Sequence, residues 1–246
     1  MLLPRFAEDA DPLELYAADA RPAPPDRPWV LVNMIATADG ATAVNGVSGP
    51  LGGAPDKRVF GAVRAVPDVI LVAAGTVRAE HYGPPRPSDA VRAMRVARGQ
   101  RGAPRLAIVT SALDLDLSGR VFTEAEPDAR PIVVTTRAAP ADRVQAAGEV
   151  ADVIEAGAER VAVARALDAL HTSGARVVLC EGGPSLVGQL VAAELVDELC
   201  LTVSPLLASG DSPRVAHGLT PDAPTRMRLD RVLEEDSLVF CRYVRA

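Results

Sequence analysis

The chain is poor in the residues that many local chemistries require. Its 246 residues include three cysteines, three histidines and one lysine, Lys57. Cys180, Cys200 and Cys241 lie far apart without a Cys-x-x-Cys pair, and His81, His171 and His217 are scattered. Such spacing argues against a zinc or other metal site and against a disulfide framework. No apolar run approaches the roughly 20 residues that cross a bilayer. No Gly-x-Gly-x-x-Gly follows the first strand-like segment and no Walker lysine motif occurs, which argues against Rossmann dehydrogenases and P-loop enzymes. The Gly-x-Ser-x-Gly elbow of serine hydrolases and the His-x-Glu with Pro-Cys-x-x-Cys of zinc deaminases are also missing. A net charge of −6 and a pI near 5.2 argue against a nucleic-acid surface. The first residues, with Arg5, Glu8, Asp9 and Asp11, lack the apolar stretch of a secretory signal, so a cytoplasmic location is expected.

What is present suits a folded α/β protein. Apolar residues make up 48% of the chain, enough for a large core. Residues 1–28 carry six prolines and many charges, and read as an irregular leader packed on the domain or a partner. Residues 29–246 show neither repeat nor linker and read as one domain. Strands are expected at Trp29–Ile35, Val69–Ala73, Leu106–Thr110, Ile132–Thr135, Val177–Cys180, Glu198–Val203 and Ser237–Tyr243. Helices are expected at Asp56–Val66, Ser88–Arg98, Ala141–Ala147 and Glu159–His171. In the first, Val59, Phe60, Val63 and Val66 share an apolar face. Strands without polar alternation, separated by helices, predict a mostly parallel sheet covered on both faces. The last two strands are joined by an irregular connection and suit an antiparallel edge.

Ligands of such sheets sit outside the carboxyl ends of the strands. That rule nominates the loops after Ile35, Ala73, Val109 and Cys180. Glu181-Gly182-Gly183-Pro184 places an acid, two glycines and a proline where a buried strand becomes a helix. Glycines allow close backbone approach, and helix-start amides favour anions. The same sequence is also ordinary strand-to-helix turn chemistry. Asn33 sits inside an apolar strand, where a buried amide needs partners, either in the core or on a ligand. Asp39-Gly40 is a turn signal or a ligand contact, and Ser48 is a small polar loop residue. Thr76 follows Gly75 as a phosphate or ribose contact or as a helix cap, with Glu80 one turn on. Arg64 is a phosphate-binding candidate or an exposed helix arginine. Asp197-Glu198 reads as a cap at the start of a late strand.

In order along the chain stand Asn33 to Gly40, Ser48-Gly49, Arg64-Ala65 with Asp68-Val69-Ile70, and Gly75-Thr76-Val77. Glu181 to Pro184, then Leu195 to Leu199 with Ser204-Pro205, complete the series. Together, over roughly residues 29–245, the chain resembles the reductase domain at the C-terminus of the bifunctional riboflavin-biosynthesis deaminase/reductase. That domain also occurs as stand-alone pyrimidine reductases of dihydrofolate-reductase-like fold.

The resemblance implies a dihydrofolate-reductase-like α/β fold, with antiparallel strands at the C-terminal edge. It implies NADPH as cofactor and hydride transfer to the ribose C1′ of 5-amino-6-(5-phosphoribosylamino)uracil. Cofactor contacts carry over to Ile35, Thr37, Thr76, Glu80, Ser111, Gly182, Gly183, Pro184, Ser185 and Leu186. Substrate contacts carry over to Asn33, Ser48, Arg64, Arg86 and Glu181. Glu181, with Asp39 second, is the catalytic candidate. A homodimer is expected. Many members have lysine at the position of Asn33, Asp at that of Glu80, and Ser-Leu at Thr37-Ala38, and the loop Pro84–Pro87 also departs. Two alternatives stay open: a dihydrofolate or pteridine reductase, and a non-catalytic NADPH-binding protein.

Overall fold

The computed structural model describes residues 8–246, so Arg5 and the first part of the leader lie outside it. Trp29–Thr37 (β1), Val69–Ala73 (β2), Arg105–Val109 (β3), Ile132–Thr135 (β4), Asp152–Glu155 (β5), Val177–Cys180 (β6) and Glu198–Ser204 (β7) form parallel neighbours. Met227–Glu235 (β8) and Leu238–Arg245 (β9) join antiparallel at one edge. The order across the sheet is β5-β4-β3-β2-β6-β1-β7-β9-β8. This is the α/β architecture that the apolar strands predict.

Both faces of the sheet are covered, and successive residues divide between them. Val30, Val32, Leu71, Val178 and Cys180 pack with Leu167 and Leu170 of Val163–Thr172 (α7) and Leu186 and Leu190 of Pro184–Ala192 (α8). Leu31, Ile70, Val72, Leu106 and Leu179 pack on the other face with Val59 and Val63 of Ala54–Arg64 (α2) and with Tyr16. Helix α2 begins and ends two residues earlier than expected: Pro55 lies inside its first turn, and Asp56 sits where the helix dipole favours an acid. No helix among the described residues is long and apolar enough to cross a membrane.

Three expectations need correction. Part of the leader is ordered: Pro12–Ala18 is a helix (α1), with the Asp11 carboxylate accepting from the Leu13 amide at 2.8 Å. The connection before β9 contains β8. Its charges (Arg228, Asp230, Arg231, Glu234, Glu235) mask the strand signal, as edge strands often do. Asp197 and Glu198 are buried anchors for the leader rather than caps. Arg27 forks onto Asp197, with Nη2 at 2.7 Å. Glu198 accepts from Arg21 at 2.8 and 2.9 Å, from Arg242 at 2.7 Å and from the Trp29 indole at 3.1 Å.

Burial opposes ionisation of Glu198, but Arg21 and Arg242 outweigh it and hold its pKa below the ordinary 4.5. A carboxylate depressed in the folded state stabilises the fold above its unfolded pKa and loses that contribution as pH falls. Urea denaturation is therefore expected to show stability falling as pH drops below 4.5. Glu198→Gln, which leaves two buried guanidinium groups without their anion, is expected to cost about 3–5 kcal/mol at neutral pH and to flatten that acid slope.

Candidate active site

Because β6 lies between β2 and β1 and stops opposite Leu71 and Val32, the carboxyl ends of β2 and β6 border the second half of β1. They open on a cavity of about 600 Å³, a size common for small-molecule sites. The cavity brings together Asn33, Ile35, Ser48, Arg64, Thr76, Glu80, Glu181, Gly183 and Pro184 from segments far apart in sequence. Three of the four nominated loops thus meet; the loop after β3 is not in the wall.

Glu181 is the best-determined group here. Its side chain is 2% exposed. It accepts from Arg64 Nε at 2.7 Å, from Arg64 Nη2 at 2.6 Å and from the Tyr82 hydroxyl at 2.8 Å. A two-point guanidinium fork of this kind fixes the carboxylate plane. Arg64 in turn lies over the Phe60 ring, 4.2 Å from its centroid, and 5.4 Å from that of Tyr82. Burial disfavours the charged guanidinium, but Glu181 outweighs it and drives the Arg64 pKa up. Burial, reinforced by Glu181, also pushes the Tyr82 hydroxyl well up, so it stays a proton donor at neutral pH.

Across the wall, Glu80 accepts from the Ser48 amide at 2.7 Å and the Ser48 hydroxyl at 2.9 Å, pinning the 46–53 loop to the region after β2. The Asn33 amide is half-buried and lines the cavity. Asp56, also in the wall, accepts from Thr202 Oγ1 at 3.0 Å, and burial raises its pKa.

The turn after β6 needs its glycines. Gly182 has φ +89°, and a Cβ there would lie 3.1 Å from Met34 Sδ. A Cβ on Gly183 would lie 2.9 Å from Thr76 Oγ1. A bare backbone at Gly183 therefore faces the Thr76 hydroxyl in the cavity wall. Such a cradle fits a phosphate-bearing cofactor.

Several expected residues lie elsewhere. Asp39 is outside the cavity, and its oxygens serve Thr37, the Ser209 amide at 2.7 Å and the Ala208 amide at 3.1 Å. Chiefly the Thr37 hydroxyl, then those amides, hold its pKa down to about 2. These contacts tie the 37–40 turn to the 208–209 segment. Thr37 is buried and accepts from the Ala41 amide at 2.9 Å. Arg86 pairs with Glu124 at 2.5 Å and lines an adjoining cavity rather than this one. Ser111 is exposed beyond β3. Gly182 is buried behind the wall and Ser185 is exposed. The Leu186 side chain is in the core, and its amide donates to Gly183 at 2.9 Å. Thr76 lies inside the short helix Ala74–Ala79 (α3), so it is not the helix cap.

Other wall residues escape a reading of the sequence. Phe60, taken there for core, faces the cavity, as do Tyr82, Asp56, Lys57 and His81. The signal was scarcity: aromatics are 3% of the chain and Lys57 is the sole lysine.

The model of the RibD C-terminal domain family matches residues 28–239. The chain is 32% identical over 194 residues to the 2,5-diamino-6-ribosylamino-4(3H)-pyrimidinone 5′-phosphate reductase of Archaeoglobus fulgidus, covering 78% of this chain and 87% of the relative. It is 29% identical to the protein of the same name from Methanothermobacter thermautotrophicus, covering 76% and 82%. Among solved structures it resembles a pyrimidine reductase-like protein from Corynebacterium diphtheriae, with a TM-score of 0.81 at 29% identity over 90% of this chain and 93% of the other. A dihydrofolate reductase from Enterococcus faecalis shares the fold at a TM-score of 0.50 and 12% identity, over 88% of this chain and 96% of that one.

Removing Arg64 as Leu leaves Glu181 buried without its cation and is expected to cost about 3–5 kcal/mol in urea denaturation. Tyr82→Phe removes one charge-assisted bond and is expected to cost about 1.5–3 kcal/mol. Equal effects for the two would contradict the central place of the ion pair.

Proposed function

The chain belongs to the RibD C-terminal domain family, and from that membership we propose that it reduces a ribosylamino-pyrimidine 5′-phosphate with NADPH in riboflavin biosynthesis. The observation that carries this reading is the Arg64–Glu181–Tyr82 cluster around the buried Glu181 carboxylate, in a cavity also lined by Asn33 and Ser48. Such a cluster offers fixed polar groups to one edge of a planar ring.

NADPH, when bound, supplies the hydride, a chemistry that belongs to the cofactor. Gly183, Pro184, Thr76 and Ile35 are the residues that would hold it, with the glycine backbone giving close approach. The remaining work of the protein is orientation, which contributes on the order of 7–11 kcal/mol in favourable cases. Glu181 is oriented by Arg64 and Tyr82 before substrate arrives, so its oxygens meet the N–H groups of the ring edge without reorganisation. Glu80 acts on the 46–53 loop and, through Ser48, on the shape of the wall.

The curated relatives are named for the 2,5-diamino pyrimidinone, which differs from the aminouracil by an amino group in place of a ring carbonyl. We take the diamino form as the first substrate, because a Glu181 oxygen can accept from its added N–H groups. The proposal includes a homodimer, to which Leu207 and Leu219 of the 205–226 connection, 83% and 70% exposed, would contribute apolar surface.

NADPH oxidation at 340 nm is expected with the diamino ribosylamino-pyrimidine 5′-phosphate, more slowly with the uracil form, and not with dihydrofolate. Turnover of dihydrofolate alone would replace the substrate reading; cofactor binding without turnover of any would remove the enzymatic one. Glu181→Gln is expected to lower kcat at least tenfold with little change in NADPH binding. Sedimentation equilibrium is expected to give twice the chain mass; a monomer at micromolar concentration would count against the dimer.

A further inference from the structure

Helix α2 places Lys57, Phe60 and Arg64 on one face, at i, i+3 and i+7. All three line the main cavity and also a second cavity of about 470 Å³, bounded by α1, α2 and the 85–88 segment. They form the ridge where the two spaces meet. The basic groups near this ridge are almost all engaged with carboxylates. Arg64 is paired with Glu181, Arg58 with Glu235 and Arg86 with Glu124. Among the described residues, the Lys57 ammonium has neither an ion pair nor a hydrogen bond.

Acids of the main cavity wall make that free cation more telling. Asp56, Glu80 and Glu181 outnumber Lys57 and Arg64 there. A phosphate monoester with close to two negative charges needs an unengaged cation to enter such a wall. Lys57 stands two helical turns from Arg64, about 10 Å along the axis. Glu181, Arg64, Phe60 and Lys57 line one continuous wall, so a ribose phosphate arm attached to a ring at Glu181 has the α2 face within its cavity. A lysine here acts as a point charge on a flexible stem, suited to a rotating phosphate rather than to a planar carboxylate.

We infer that Lys57 is the anchor for the substrate's phosphate, at the ridge between the two cavities. This rests on the substrate class proposed above. The other source of a phosphate monoester is the 2′-phosphate of NADPH, and the two can be separated.

The test is calorimetric titration of the full chain with ribose 5-phosphate, and in parallel with ribose, NADPH and NADH. Lys57→Met is expected to weaken ribose 5-phosphate at least tenfold and to leave NADPH unchanged. Arg137→Met, an exposed arginine beyond β4, serves as the charge control and is expected to bind like the parent. Lys57→Arg is expected to recover most of the loss. In turnover, Lys57→Met is expected to raise KM for the phosphorylated pyrimidine with kcat within a few-fold of the parent. Binding of ribose 5-phosphate by Lys57→Met within twofold of the parent, or no binding by the parent, overturns the assignment. Loss of NADPH but not NADH affinity in Lys57→Met overturns it in favour of the cofactor's phosphate. Lys57-dependent binding of ribose 5-phosphate without pyrimidine turnover by the parent keeps the anion site and removes the pyrimidine reading instead.

Discussion

A buried carboxylate must be met by donors, and two of them organise this chain. Glu198, at the start of β7, collects Arg21, Arg242 and Trp29 and so joins the N-terminal segment to the antiparallel edge. Glu181, just beyond β6, collects Arg64 and Tyr82 and so fixes α2 and the 80–83 segment against the sheet. In each case several strong donors converge on one acid inside a low-dielectric setting. Removing one partner costs far more there than on the surface. One acid holds the scaffold and the other holds the cavity.

The division of labour follows from the sheet. Strands β2 and β6 are apolar on both faces, so their polar chemistry appears only where they end. There the chain puts Thr76 and Glu181, and Asn33 joins them from the middle of β1. Glu80 and Ser48, engaged with each other, close the opposite side of the wall. A longer acid at position 80 reaches the Ser48 amide and hydroxyl together, so the family's departure there is matched by a contact within the chain.

Much of this was legible in the sequence, because apolar strands and the Glu-Gly-Gly-Pro turn are local signals. Strands β1 to β4, β6, β7 and β9 follow from patterns within short windows, whereas the gathering of Asn33, Ser48, Arg64, Thr76 and Glu181 is what the resemblance carried by their ordered motifs implies. Strand β8 was not legible, since its charges suit an exposed edge but hide the alternation. The Asp197 and Glu198 anchors were hidden for another reason. Their partners Arg27 and Arg21 lie 170 and 177 residues away, so no window contains both. Asp39 was ambiguous because turn chemistry and ligand chemistry use the same Asp-Gly pair, and the Ala208 and Ser209 amides that it accepts from lie far along the chain. Phe60 misled because its helical spacing from Val63 fits core, and the sheet stops short of it.

The anchoring of the leader has a bearing on how the chain is made. Arg21 and Asp19 leave the ribosome well before Glu198, Arg231 and Arg242, the residues that hold them. Tyr16 can pack on α2 early, but the charged anchors of the leader are missing until the antiparallel edge has been synthesised and has paired. Vectorial folding from the N-terminus cannot complete this region, and its closure is deferred to release of the chain. A nascent protein stalled before β9 would hold its first segment by apolar contact, with Asp19 and Glu198 still lacking Arg242.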